Sequence, residues 1–347
     1  MTDTSKVGYD APPIGQAQDD LDRWRFASEL MNVISGTPDG WSIRIGVFGK
    51  WGEGKTTVLR FVERFASKDG HLVVWFNPWA SNSSNELWTE FALQLFNSME
   101  TAGIKMEGGR KLKLKLFGQK AQKFLQPAER LSEANIFAKA AVGATFSFLR
   151  QLLNVNGTHI KQVRQKLGDK RVVVLIDDLD RTDPKLIPQF LLSLREFLDL
   201  PGFAFVLGFD EEIVRSALTG YHPGWRESSD FLEKILDFRL PLPPVTDQHR
   251  IRLFRREMLS ACPFVDPKVF PEVEDLLPKN PRRLKALVRN LAALKAEVQR
   301  HDSDELNWIE IIIAQLIKLE SSSFLEKFLE GDSVETEIGV RYQVRQY

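Results

Sequence analysis

Cysteine is almost absent from this sequence. Cys262 stands alone among 347 residues, so no disulfide can form within the chain and no zinc site can be built on paired thiolates. Histidine is scarce as well: His71, His159, His222, His249 and His301 are scattered without ligand spacing. Both absences point to a reducing cytoplasm and no structural metal. Net charge is missing too, with 47 basic and 47 acidic residues, so any electrostatic message to a partner must lie in local segregation. Long apolar runs are lacking. The smoothest, AAVGATFSFL at 140–149, is about half of the ~20 residues that a bilayer span requires. The opening MTDTSKVGYDAPPIGQAQ has no apolar core, so no signal peptide is expected. These absences lead to the expectation of a cytoplasmic chain without a transmembrane helix, with contact at a membrane periphery left open.

What is present is a globular composition, 43% hydrophobic and 27% charged, with length for one large or two ordinary domains. DDLDRWRFASELMNVIS reads as an amphipathic helix starting near Asp19 or Asp20, with Leu21, Trp24, Leu30, Met31 and Ile34 on its apolar face. Strands are expected in SIRIGVFG, HLVVWFNPWA, KRVVVLIDDLD, GFAFVLGFD and, more briefly, near KILDFRLPL. Helical patterns alternate with them. Such alternation predicts an α/β fold with a parallel sheet covered on both faces. The expected core is 10–244, interrupted at about 81–170 by a helical and basic insertion. A helical part, 245–347, follows and closes with a candidate strand in IGVRYQVRQY.

In the stretch GVFGKWGEGKTTVLRF, three glycines (Gly49, Gly52, Gly54) and two lysines (Lys50, Lys55) stand where a predicted strand passes into a predicted helix. Gly49, then Lys50-Trp51-Gly52-Glu53, then Gly54-Lys55-Thr56 fits the phosphate-loop template at every fixed position. Glycine permits positive φ and close backbone approach, so successive N–H groups can form an anion nest at a helix start. Lys55 can then reach the β- and γ-phosphates, and the Thr56 hydroxyl can ligate Mg²⁺. The nucleotide contacts expected on this basis are Gly49, Gly52, Glu53, Gly54, Lys55, Thr56 and Thr57. The competing interpretation is a plain glycine-rich turn.

RVVVLIDDLDR delivers two carboxylates to the end of an apolar strand. Asp177 is assigned to the metal and Asp178 to the attacking water as general base. Capping of the next helix is the bland explanation, but Asp183-Pro184 is better suited to that task. Asp210, at the tip of the next strand, either senses the γ-phosphate or caps the helix EEIVRSAL. In NPRRLKALVRN, Pro281 opens a helix whose first turn carries Arg282 and Arg283, two cations at the positive end of the dipole, which suits an anionic partner.

With these residues in hand the sequence resembles the KAP family of P-loop NTPases. The features that carry the likeness, in order, are DAPPI, DDLDRWRFASEL, GKWGEGKTT, WFNPWA, LIDDLDR, FLEKI before LPLPP, and NPRRLKALVRN. The resemblance implies an ATP-binding, Mg²⁺-dependent hydrolase with Walker A and Walker B motifs. Its sheet is expected to be of the additional-strand, AAA+-like type, with the Asp-bearing strand not adjacent to the phosphate-loop strand. A helical lid would bear a sensor arginine, matched here by Arg282. Arg181 is the rival, acting on a neighbouring subunit's nucleotide if the protein self-associates. Many relatives carry two transmembrane helices in the insertion, and here that region lacks spans of sufficient length. Bacterial members look like parts of anti-phage or exclusion systems, which implies a partner protein in defence. WFNPWA is expected to end an edge strand away from the nucleotide and pack the inserted helices. A membrane- or nucleic-acid-binding adaptor using nucleotide only for assembly is the alternative function. Its support is the basic segment 105–123, where Lys105, Arg110, Lys111, Lys113, Lys115, Lys120 and Lys123 meet only Glu107 and could bind an anionic membrane surface or nucleic acid.

Overall fold

Five short segments become five parallel strands. In a computed structural model they are β1 (Ile43–Phe48), β2 (Leu72–Phe76), β3 (Val172–Ile176), β4 (Phe203–Phe209) and β5 (Phe238–Pro241), in the order β2-β3-β4-β1-β5. The structure describes residues 12–13, 15–81, 83–104, 165–197, 200–221, 228–298 and 306–320. The basic segment, the apolar run 140–149 and the candidate C-terminal strand lie outside the described residues. All pairings are parallel, with Val172 opposite Phe203, Ile43 opposite Ala204 and Ile45 opposite Phe238. Since β4 separates β3 from β1, the Asp-bearing strand is not adjacent to the phosphate-loop strand, as the additional-strand type requires.

The central strands β3 and β4 are buried along their whole length because both faces of the sheet are covered there. Val172, Val174 and Ile176 enter one core, with Phe205, Leu207, Phe91 and Phe190; Val173 and Leu175 enter the other, with Ala27, Leu30, Val58 and Phe61. Helices α1 (Arg23–Gly36) and α2 (Lys55–Lys68) supply the second face. Helices α3 (Ser84–Thr101), α4 (Leu186–Phe197) and α5 (Glu211–Tyr221) supply the first. The Ser83 side chain accepts the Glu86 N–H and so caps α3. A short helix, α6 (Ser228–Glu233), precedes β5.

The chain divides into two compact units. One comprises Arg23–Trp51 and Lys55–Leu242, which holds the sheet; the other comprises Met1–Asp22, Gly52–Gly54 and Pro243–Tyr347. The second has its own core, in which Leu253 and Phe254 of α7 (Asp247–Ala261), Leu284 and Val288 of α8 (Pro281–Ala293) and Ile312 of α9 (Trp308–Glu320) are buried together. Among the described residues no helix is long and apolar enough to cross a membrane.

The first helix starts later than its periodicity suggests, at Arg23 rather than Asp19 or Asp20. Asp22 takes a left-handed φ of 55°, which a growing helix cannot contain. Its carboxylate meets His249 Nε2 at 3.0 Å and Arg252 at 3.2 Å, while Asp20 pairs with Arg256. Tertiary ion pairs on α7 thus claim the acids that local sequence would assign to an N-cap.

Candidate nucleotide site

Strand β1 runs out at Phe48, and the chain turns through Gly49–Gly54 into α2. Gly52 has φ +85° and Gly54 φ +100°, conformations that L side chains rarely adopt. Within its unit, Gly52 also leaves room for the second unit's own residues: a Cβ there would stand 2.5 Å from Asn280 Oδ1 and 2.9 Å from Arg282 Cβ. Glu53 is half-buried, as are Thr56 and Thr57 in the first turn of α2.

Lys55 folds back rather than reaching outward. Its ammonium donates to the Gly49 carbonyl at 2.8 Å and the Lys50 carbonyl at 3.3 Å, and lies 3.6 Å from Asp180 Oδ2. Beside it the Thr56 hydroxyl donates to the Asp177 carboxylate. Asp177 ends β3, is 4% exposed, and its backbone N–H donates to Phe76 O at 3.1 Å. Burial pushes its carboxyl up to about 6; the Thr56 hydrogen bond and the Lys55 charge pull it down, and the neighbouring Asp178 charge pushes it up. The hydroxyl and the carboxylate predicted to share a metal are therefore in direct contact.

Asp178 occupies the left-handed region, φ 56° and ψ 35°, at the start of the 3₁₀ turn Leu179–Arg181. Strain of this kind in a non-glycine residue costs of order 1–3 kcal/mol and clusters at working sites. Its Oδ1 pairs with Arg181 Nε at 3.1 Å, and the Arg181 guanidinium lies 5.6 Å from the Trp51 ring centre. The general-base candidate and the candidate trans-acting arginine are thus ion-paired to one another within one chain. Asp210 uses its carboxylate locally: Oδ1 accepts the Glu212 N–H at 3.0 Å at the start of α5, and its own N–H donates to Asp180 Oδ2 at 3.2 Å. Arg282 belongs to the other unit, where Asn280 Oδ1 accepts the N–H groups of Arg282 (3.0 Å) and Arg283 (3.3 Å) and caps α8.

Two positions escaped the sequence analysis. Asp180 is the acid whose oxygen meets both Lys55 and the tip of β4; the third aspartate in DDLD was its only signal. Gly208, the penultimate residue of β4, faces the site: a Cβ there would lie 3.2 Å from Leu59 Cδ1, 3.5 Å from Asp177 Oδ1 and 3.6 Å from Lys55 Cβ. Nothing in FVLGFD advertises that contact. The segment Pro78–Ala80 also packs against the turn Leu179–Arg181, so the end of the edge strand braces the aspartate turn in addition to receiving α3.

The donor set suits Mg²⁺ bound through a nucleotide. Among the described residues no group of three or more His, Cys, Asp or Glu could hold a metal ion alone. Mg²⁺ in such sites is typically held by one or two protein oxygens, with phosphate and water completing the shell. Thr56 and Asp177 meet that requirement.

Comparison with known proteins is consistent with this geometry. The KAP family P-loop domain matches residues 23–298. The phage T7 exclusion protein of Escherichia coli K12 is 28% identical over 254 residues, covering 65% of this chain. The chain spans about a third (34%) of the length of that curated relative. Among solved structures, Cdc6p from Pyrobaculum aerophilum superposes with a TM-score of 0.50 at 14% identity, over 84% of this chain and 67% of that one. The ORC2 protein of Aeropyrum pernix gives 0.49 at 16% identity, over 96% and 74%. The Cdc6p likeness concerns the fold.

Proposed function

Because this chain belongs to the KAP family of P-loop domains, we propose that it is an ATP-hydrolysing regulatory switch that takes its nucleotide as the Mg²⁺ complex. The observation that carries the reading is the Thr56–Asp177 contact beside the buried Lys55 ammonium. A helix-start hydroxyl, a strand-end carboxylate and a lysine cation converge where a phosphate chain entering the loop would meet all three. Bound Mg²⁺ supplies charge neutralisation to the phosphate oxygens. The chain's own residues do the rest. Lys55 gives up its carbonyl and carboxylate partners to bind the β- and γ-phosphates. The N–H groups of Gly52–Gly54 face the anion. Asp178 accepts the proton of the attacking water once Arg181 releases it, and its fixed left-handed backbone keeps the carboxylate aimed.

The helical C-terminal part is the element that would read nucleotide state, with Arg282 responding to the γ-phosphate; Asp210, at the tip of β4, would sense the same group. The name of the Escherichia coli relative, a phage T7 exclusion protein, supports a setting in bacteriophage defence, where this chain would act with a partner protein. The basic segment 105–123 would be its contact with an anionic membrane or nucleic acid, and Arg181 its contribution to a neighbouring copy. Titration with a fluorescent ATP analogue tests the core of the proposal: Lys55→Ala should abolish tight binding, and equal affinity in variant and parent would remove the phosphate-loop assignment. Phosphate release measured with and without duplex DNA and anionic vesicles then identifies the stimulus.

A further inference from the structure

Asp180 is a buried acid that neither the metal site nor the water-activating site uses. Its side chain is 4% exposed, as enclosed as the Lys55 side chain that it faces at 5%. Oδ2 does two jobs, lying 3.6 Å from the Lys55 ammonium and accepting the Asp210 N–H at 3.2 Å. Oδ1 is also shielded from solvent and has no hydrogen-bond partner within the protein. A buried carboxylate with one oxygen unsatisfied is costly, and a merely structural tether to Asp210 would be served as well by an uncharged amide. What an amide could not supply is the negative charge opposite Lys55.

We propose that Asp180 is a positioning residue that competes with the nucleotide phosphates for the Lys55 ammonium. Through the Asp210 N–H it links the position of that lysine to the start of α5. The proposal rests on the reading above that Lys55 meets the β- and γ-phosphates. Lys55 is held by Gly49 O, Lys50 O and Asp180; phosphates entering the loop must draw it from the carboxylate and approach a second negative charge. Asp180 therefore sets a threshold for nucleotide binding. When the lysine leaves, the Asp180 oxygens are free to bond the Asp210 amide more strongly, so α5 registers occupancy of the loop directly.

Two variants separate charge from tethering. Asp180→Asn keeps an acceptor for the Asp210 N–H and removes the charge, while Asp180→Ala removes both. Calorimetric titration with ADP and ATP, after circular dichroism has established folding, should show both variants binding about tenfold more tightly than the parent, as loss of an opposing charge at close range requires. Amide exchange over residues 210–214 should slow on nucleotide addition in the parent and change little in Asp180→Asn. If either folded variant binds no more tightly than the parent, the proposal is overturned; if one fails to fold, the other decides. Should the parent itself bind neither nucleotide, the phosphate-loop reading falls and this inference falls with it. Parent binding with unaltered variants removes only the inference.

Discussion

Replacing Asp177 by asparagine should make the nucleotide-free protein more stable at neutral pH. Burial raises this carboxyl from 3.8 to about 6, a shift of roughly 2 units, worth about 3 kcal/mol at ~1.4 kcal/mol per unit. A folded-state value above the unfolded one means that the group's contribution is fully present below pH 3.8. It is lost as pH rises through about 6, because the folded protein must then keep an ionised carboxylate in a dry setting. Asparagine escapes that loss. It still accepts a hydrogen bond from Thr56, but without charge assistance, which removes about 1 kcal/mol. The expected net gain is about 2 kcal/mol at pH 7.5, shrinking to nothing or slightly reversing near pH 4. Urea titrations of parent and Asp177→Asn at half-unit pH steps, followed by tryptophan fluorescence, would measure it. The same group predicts that Mg²⁺-dependent nucleotide affinity in the parent falls about tenfold per pH unit below about 6, since the carboxyl must lose its proton to ligate. A variant that is less stable than the parent at pH 7.5, or a difference that does not move with pH, would refute the assignment of the shift to desolvation.

Asp178→Asn should retain nucleotide affinity while the hydrolysis rate drops about 10²–10⁴-fold, as loss of a general base does; single-turnover phosphate release reads it. Arg282→Ala should lower hydrolysis more than ADP affinity, because ADP lacks the γ-phosphate; steady-state kinetics beside ADP titration separate the two effects. Gly52→Ala should lose about 1–3 kcal/mol, since φ +85° is strained for alanine and its Cβ would press on the Asn280 side chain that caps α8; equilibrium denaturation checks the loss.

Local pattern was enough for much of this protein. Strand β3 is legible because five consecutive apolar residues can be satisfied only between two covered faces. The loop is legible because a glycine-rich turn before Lys-Thr has a spacing that phosphate chemistry dictates. Where Asp177 and Thr56 were expected to share a cation, the folded chain puts them in contact. Other features depend on packing between distant segments. The helix expected from near Asp19 or Asp20 starts only at Arg23, after Asp22, which sits in a left-handed turn and pairs with His249 and Arg252, more than 220 residues away. Asp210 kept two readings in the sequence; in the fold its Oδ1 accepts the Glu212 N–H in the first turn of α5 and its own N–H donates to Asp180. Asp180, signalled only as the third aspartate of DDLD, and Gly208, not signalled at all, take their significance from the parallel pairing that places β4 between β1 and β3. That order sets a glycine of one strand against the lysine of a second element and the aspartate of a third. Composition and spacing supplied the residue types for phosphate and metal; the order of strands set which of them face one another, since adjacency across a sheet is a property of pairing and not of spacing along the chain.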